Sequence, residues 1–234
     1  MNAKSTFRAA TYRHLGHAAT VDHFYDISPR LRVIRFTGPE VQALTLNPGD
    51  KVKLCTSPSS LRSYTPSLVA ADGSWFEMVF FRHNGGPGSH WATNVSIGTR
   101  CWFLGPKRSM PFSGPAAWHL MLGDESAAGL YQRLQQALGR DAHIFGALEM
   151  DAMDVPALSA LSLPLEPVLR APGARGLPLL SWLRRTPLPP GPGAIYLSGH
   201  TGSVQILKGF LLDSGCQDSA LNIKPYWSEK KRRR

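Results

Sequence analysis

The feature that most constrains this chain is a change of hydrophobic rhythm near Ala116. Before it, six short segments rich in β-branched and aromatic residues, TVDHFYDIS, LRVIRFTG, DKVKLC, LRSYTPSLV, WFEMVFFRH and TRCWFLGP, are divided by Gly, Pro, Asn or Asp. Such spacing predicts strands joined by short turns, and six of them predict a small antiparallel β-barrel. After it, the strand-like AWHLMLGD, DAHIFGALEM, EPVLRA and GAIYLSGH are interleaved with the helix-like ESAAGLYQRLQQALG, LPLLSWLRRT and TGSVQILKGFLLDSG. Strands alternating with helices predict a parallel sheet. The expected fold is therefore β plus α/β: a barrel over 1–113, then a parallel-sheet α/β domain over 114–234 with a basic C-terminal tail. The break falls near Ser113–Ala116, and TPLPPGPG, Thr186–Gly193, reads as a loop inside the second unit.

The 234 residues are ample for a buried core, and 43% hydrophobic with 18% charged residues is ordinary for a soluble globular chain. No apolar run approaches the roughly 20 residues of a membrane span, and the N-terminus lacks a secretory apolar segment. Cys55, Cys101 and Cys216 are odd in number, far apart and without metal-ligand spacing, so a reducing cytoplasm is the expected compartment. The net charge is +10, and half of it sits in KPYWSEKKRRR, where six cations meet one acid. That segment reads as a solvated tail or as the rim of an anion site. No nucleic-acid-binding module or regularly spaced basic helix accompanies it, and charge alone gives only nonspecific affinity.

Three segments carry chemistry. In RSYT, Arg62 and Tyr64 share one strand face, which suits a ligand with both negative charge and a flat ring. It equally suits an exposed strand where arginine covers tyrosine. In HNGGPGSHWA, Gly85, Gly86 and Gly88 let backbone amides approach an anion, and Ser89 is placed to cap the following helix. The alternative is a tight turn with a capped helix and no ligand. GDES lies where the first parallel strand ends, the crevice in which open α/β sheets hold ligands, with Asp124 or Ser126 as helix cap. No GxGxxG fingerprint is present. The histidines show no ligand pairing, so no metal site and no catalytic side chain is assigned.

With GPKRS and the closing KPYW, these segments stand in an order that resembles siderophore-interacting proteins, flavin-dependent ferric-siderophore reductases related to ferredoxin-NADP reductases. The resemblance implies FAD between barrel and α/β domain and donor binding in the second domain. It implies that Arg62 pairs with the flavin diphosphate within the cofactor-binding stretch Arg62, Ser63, Tyr64 and Thr65. Tyr64 would pack on the flavin or its ribityl chain, and Thr65 would hydrogen-bond near the reactive ring nitrogen. His83, Gly86, Gly88 and Ser89 would form the phosphate loop. Asp124 and Ser126 would belong to the cofactor-binding set, with Ser126 reaching a nicotinamide or the flavin edge, and Trp227 would cover that edge. Lys224, Lys230, Lys231 and Arg232 would attract an anionic ferric siderophore.

Five positions depart from the family pattern: Ser67 for a second arginine, Asn84 for glycine, Ser126 for threonine, His200 for glutamate and Ser228 for arginine. The donor stays open among NADPH, NADH and reduced ferredoxin, with a nicotinamide favoured. The expected function is reduction of siderophore-bound Fe(III) to Fe(II) by a cytoplasmic monomer, with the ferric siderophore, and ferredoxin if it is the donor, as partners and neither nucleic acid nor membrane. The alternatives are a flavin reductase with another acceptor, or a flavin- or siderophore-binding protein without turnover.

Overall fold

The computed structural model describes residues 15–83 and 85–229. The first half forms one antiparallel sheet: β1 His17–Asp26, β2 Leu31–Thr37, β3 Asp50–Ser57, β4 Ser60–Tyr64, β5 Pro66–Val69, β6 Trp75–Phe81 and β7 Arg100–Arg108. Its order is β4-β3-β7-β1-β2-β6-β5. The two edge strands, β4 and β5, are consecutive in sequence, so the sheet curls until its edges meet at Thr65. The inner faces bury Phe36, Phe76, Phe80 and Phe103 with Ile34, Leu54 and Met78. Phe36 meets Phe103 edge-on, with ring centroids 5.0 Å apart. Each such ring is worth about 1.5–3 kcal/mol of burial, which holds the curl closed. Two short helices cap the barrel, α1 Pro39–Gln42 and α2 Pro87–Asn94.

One expectation is corrected here. LRSYTPSLV is two strands, not one, because the ladder breaks at Thr65. Pro66 has no N–H to donate and restricts the residue before it. The chain turns there, and β5 leaves β4 to pair with β6.

The second sheet contains β8 Trp118–Asp124, β9 Ile144–Met150, β10 Glu166–Leu169, β11 Gly193–His200 and β12 Leu221–Trp227, in the order β10-β9-β8-β11-β12. All four pairings are parallel. The connections carry α3 Ala128–Leu138, α4 Pro156–Ala160, α5 Leu177–Arg185 and α6 Thr201–Asp213. Every residue of β8 is buried, as a central strand covered on both faces requires. The expectation of a basic tail beginning at Lys224 is corrected too: Lys224 to Trp227 belong to β12, a fifth strand. Its Pro225 is tolerable because β12 lies at the sheet edge.

The two sheets are tied together. Ile27, Leu31 and Val33 of the barrel share one apolar cluster with Met121, Tyr131 and Leu148. Above it, Asp154 is fully buried, accepting from Ser28 Oγ at 2.6 Å and Arg30 Nε at 2.8 Å. Arg30 also pairs with Asp151, and Arg170 bridges Glu125 and Asp151. Three carboxylates and two guanidiniums thus form an interdomain ion-pair network. Among the described residues, no helix is long and apolar enough to cross a membrane.

Candidate functional site

The RSYT and Gly-rich segments converge. Arg62 and Tyr64 project from β4 onto the first turn of α2. A Cβ built on Gly88 would fall 2.0 Å from the Tyr64 hydroxyl and 3.5 Å from Arg62 Cγ, so only glycine fits there. The amides of Gly88 and Ser89 lie in a first turn that no helix carbonyl can reach. Arg62 is exposed, and its guanidinium donates to the Leu61 carbonyl at 2.8 Å. Among the described residues it has no acidic partner. Burial, slightly opposed by the Arg62 charge, pushes the Tyr64 phenol up to about 12, so it keeps its proton. Its ring packs on Phe80 with centroids 4.4 Å apart. Ser63, between them, is exposed on the other face of β4.

The expected cap is corrected. Gly86, at φ +98°, is the N-cap of α2 and makes no side-chain capping bond. Ser89 lies inside the helix and donates its hydroxyl to the His83 carbonyl at 2.6 Å, pinning the loop. The His83 ring lies against Gly86, where a Cβ would approach its Cε1 to 3.3 Å. A cleft of about 260 Å³ alongside is lined by Arg82, His83, Gly85, Ser89, His90 and Thr93. Asn84 lies outside the described residues.

Ser67 is not on this face. It is fully buried with an unpartnered hydroxyl, its Cβ 3.4 Å from where a side chain on Gly129 of α3 would begin. A second arginine would have no room there. Thr65, at the bend, turns toward the other sheet: its Oγ1 lies 2.9 Å from the Tyr226 hydroxyl.

At the head of the parallel sheet, Asp124 organises the ends of β8, β11 and β12. It caps the 3-10 turn Glu125–Ala127, accepting from the Ser126 amide at 2.9 Å and from the Ser126 hydroxyl at 2.5 Å. Its other oxygen accepts from the His200 amide at 2.7 Å and Trp227 Nε1 at 3.0 Å. Gly199, at φ +106°, is required here, since a Cβ would sit 2.7 Å from the carboxylate. The Trp227 indole packs against His200, at 4.8 Å between ring centroids, and against the Arg175 guanidinium, 4.8 Å from the ring centre. Trp227 thus belongs to the switch point between β8 and β11, while its neighbour Tyr226 reaches the barrel.

Beside this seam stands a group of lysines. Lys51 on β3 faces Lys107 on β7 directly across the ladder, and Lys53 shares its strand face. Burial first, then the charges of Lys224, Lys53 and Lys107, lower the Lys51 pKa. Lys208 is paired with Asp218, but among the described residues none of these four lysines has an acidic partner. Lys230, Lys231 and Arg232 lie outside the described residues.

Residues 56–110 match the model of the siderophore-interacting FAD-binding domain, and residues 116–230 match that of the siderophore-interacting protein. The chain belongs to the siderophore-interacting protein family. The ferric vibriobactin reductase ViuB of Vibrio cholerae serotype O1 is 27% identical over 80% of this chain and 72% of its own. The siderophore-interacting protein SipS from Aeromonas hydrophila superposes with a TM-score of 0.78 at 24% identity, over 92% of each chain. The ferredoxin reductase of carbazole 1,9a-dioxygenase shares the fold, with a TM-score of 0.75 at 19% identity over 91% of this chain and 69% of that one.

Within this siderophore-interacting fold, sequence reasoning missed Lys51, Lys53, Lys107 and Tyr226's tie to Thr65. Alternation in KVK places Lys51 and Lys53 on one face, which was a usable signal. The approach of Lys107 and Lys224 depends on strand pairing and on how the two sheets dock.

Proposed function

We propose that the chain is an FAD-dependent ferric-siderophore reductase, with residues 1–113 as its FAD-binding barrel and 114–234 as its donor-binding α/β domain. The observation that carries this reading is the cradle of Arg62, Tyr64 and the α2 N-terminus beside the intersheet seam: a guanidinium with no acidic partner among the described residues, two amides unused by them, and a ring. A flavin dinucleotide supplies that chemistry's counterpart. Its diphosphate suits the planar fork of Arg62 and the Gly88 and Ser89 amides, with His83 beside them. Bound FAD supplies two-electron acceptance from the donor and single-electron delivery to the iron.

The residues of this chain do the placing. Tyr64 stays protonated and fixes one wall. Thr65 and Tyr226 hold the two sheets at the seam, while Asp124 and Ser126 shape the donor side. The cluster of Lys51, Lys53, Lys107 and Lys224, without acidic partners among the described residues, draws an anionic ferric siderophore to that seam. Its hydroxamate or catecholate oxygens bind Fe(III) far better than Fe(II), so reduction releases the metal and no protein ligand for iron is required. We place the reaction in the cytoplasm, carried out by a monomer.

The test is anaerobic. Protein reconstituted with FAD should be yellow and bleach with NADH, NADPH or reduced ferredoxin. Addition of a ferric siderophore with an Fe(II) chelator should then restore the yellow and form the ferrous complex. A flavin that stays bleached overturns the siderophore assignment.

A further inference from the structure

A diphosphate held at the first turn of α2 has two arms, and the helix offers a different surface to each. Gly88 packs against Tyr64 and Arg62. Further round the helix, Ser89, His90 and Thr93 line the cleft of about 260 Å³, together with Arg82 and His83 from the end of β6. Neither Arg62 nor Tyr64 lines it. Ser89 joins the two surfaces, with its amide in the unsatisfied first turn and its side chain in the cleft. His90 is the member of HNGGPGSHWA that the cradle leaves without a role.

The cleft differs from the cradle in its chemistry. Its arginine is already committed: Arg82 Nη2 donates to the Pro29 carbonyl at 3.0 Å and pairs with Asp26 at 3.1 Å. The hydroxyls of Ser89 and Thr93 are spent on the carbonyls of His83, at 2.6 Å, and Ser89, at 2.9 Å. None of the lining residues is acidic. What the cleft presents is flat surface. The His83 ring stands 5.9 Å from that of Phe81. The His90 side chain is exposed beside Asn94, whose amide donates to the His90 carbonyl at 2.8 Å and lies 3.4 Å from its Nδ1. Imidazole and guanidinium planes are surfaces on which an uncharged heteroaromatic base stacks.

We propose that this cleft takes the adenosine half of the FAD, with His90 stacked on the adenine, and that His90 thereby selects FAD over FMN. This rests on the flavin reductase reading above. The anion goes to Arg62, which has no acidic partner among the described residues, and the uncharged base goes where the arginine is already paired. The volume suits a purine nucleoside rather than the larger three-ring flavin with its ribityl chain. The flavin arm is left to Tyr64 and the intersheet seam.

Calorimetric titration of the flavin-free full chain with FAD, FMN and ADP tests this. FMN presents phosphate and flavin without adenosine, and ADP presents diphosphate and adenosine without flavin. The parent protein should bind FAD more tightly than FMN. His90→Ala should raise the Kd of FAD and of ADP by the same factor, about fivefold to fiftyfold, the loss of one base-ring stack. The Kd of FMN should stay within about twofold, and alanine is the better helix former, so α2 persists. His90→Phe keeps a ring and should hold FAD affinity within about threefold of the parent. An unchanged FAD affinity in His90→Ala overturns the proposal. So does an equal loss of FMN, which would make His90 a support of α2 rather than a partner of adenine. If the parent binds FAD and FMN alike and no ADP, while its reduced form still reduces a ferric siderophore, this inference fails and the reductase reading stands. If ADP binds through His90 and no flavin binds, the reductase reading fails and the adenosine site stands.

Discussion

The hydroxyls of Thr65 and Tyr226 lie 2.9 Å apart, joining the bend where the barrel closes to the last strand of the parallel sheet, 161 positions later. Neither residue is placed there by its own strand pattern. Thr65 is at the break that Pro66 imposes, and Tyr226 follows Pro225 on an edge strand. The contact is exposed, so water replaces it at small cost. A double-mutant cycle of Thr65→Ala and Tyr226→Phe, read by urea unfolding, should give a coupling energy of about 0.5–1 kcal/mol. A coupling of zero would mean the two hydroxyls are neighbours without being partners.

The cradle at α2 predicts a loss and a rescue. Arg62→Ala should weaken FAD retention by about 1.5–3 kcal/mol, the worth of a charged contact, and Arg62→Lys should recover only part, because a point charge cannot grip two oxygens at once. Gly88→Ala should also shed flavin, since its methyl would overlap the Tyr64 hydroxyl, 2.0 Å from the built Cβ. Adding Tyr64→Phe to Gly88→Ala leaves the ring carbon at 3.2 Å and should restore part of the retention. Equilibrium dialysis of FAD on the four variants checks this. An unchanged affinity in Gly88→Ala would show that Tyr64 does not wall the site.

The two halves of the fold were legible because the hydrophobic period changes from alternation to strand-helix units, and Arg62 with Tyr64 share a face by alternation alone. What was not legible depends on partners distant in sequence. The split of LRSYTPSLV needed the knowledge that Pro66 lies opposite Met78 of β6 rather than continuing β4. The strand over Leu221–Trp227 contains Lys and Pro, so its local propensity is poor. The neighbouring β11, with which it pairs from Ile195 to His200, makes it a strand. Ser89 looked like a cap by spacing, but the left-handed conformations of Gly85 and Gly86 moved the helix start and turned its hydroxyl back to His83. Ser67 and Gly129 meet across two domains, which no single segment discloses.

The lysine cluster predicts opposite effects on stability and function. Lys51 and Lys107 are directly opposed across β3 and β7, and like charges so placed destabilise a sheet. Lys107→Gln should therefore raise stability by about 0.2–0.5 kcal/mol in urea unfolding. The same change should raise KM for an anionic ferric siderophore several-fold, and the KM of the parent protein should climb with salt as the charges are screened. A variant that gains stability with no change in KM would remove the cluster from the substrate path.

The pH dependence of stability follows from two histidines whose pKa values are lowered. For His119 the causes are burial and then the nearby His143, and for His200 burial and then Arg175. His119 is 2% exposed, stacked on Tyr196 at 6.1 Å between ring centroids, with Nδ1 unpartnered, so the neutral ring is what the fold accommodates. A depressed histidine binds its proton more readily unfolded than folded. Its stabilising share is complete above the unfolded value near 6.5 and is lost as pH falls toward and through the lower folded value. Glu125 and Glu149 act in the opposite sense: burial raises their pKa, so stability they contribute when protonated declines as pH rises from about 4.5. Denaturant midpoints from pH 5 to 8 mix these terms, so the measurement is the difference between the parent protein and His119→Gln. The parent should lose stability below pH 6.5 more steeply than the variant, and parallel curves would show that His119 titrates alike in both states.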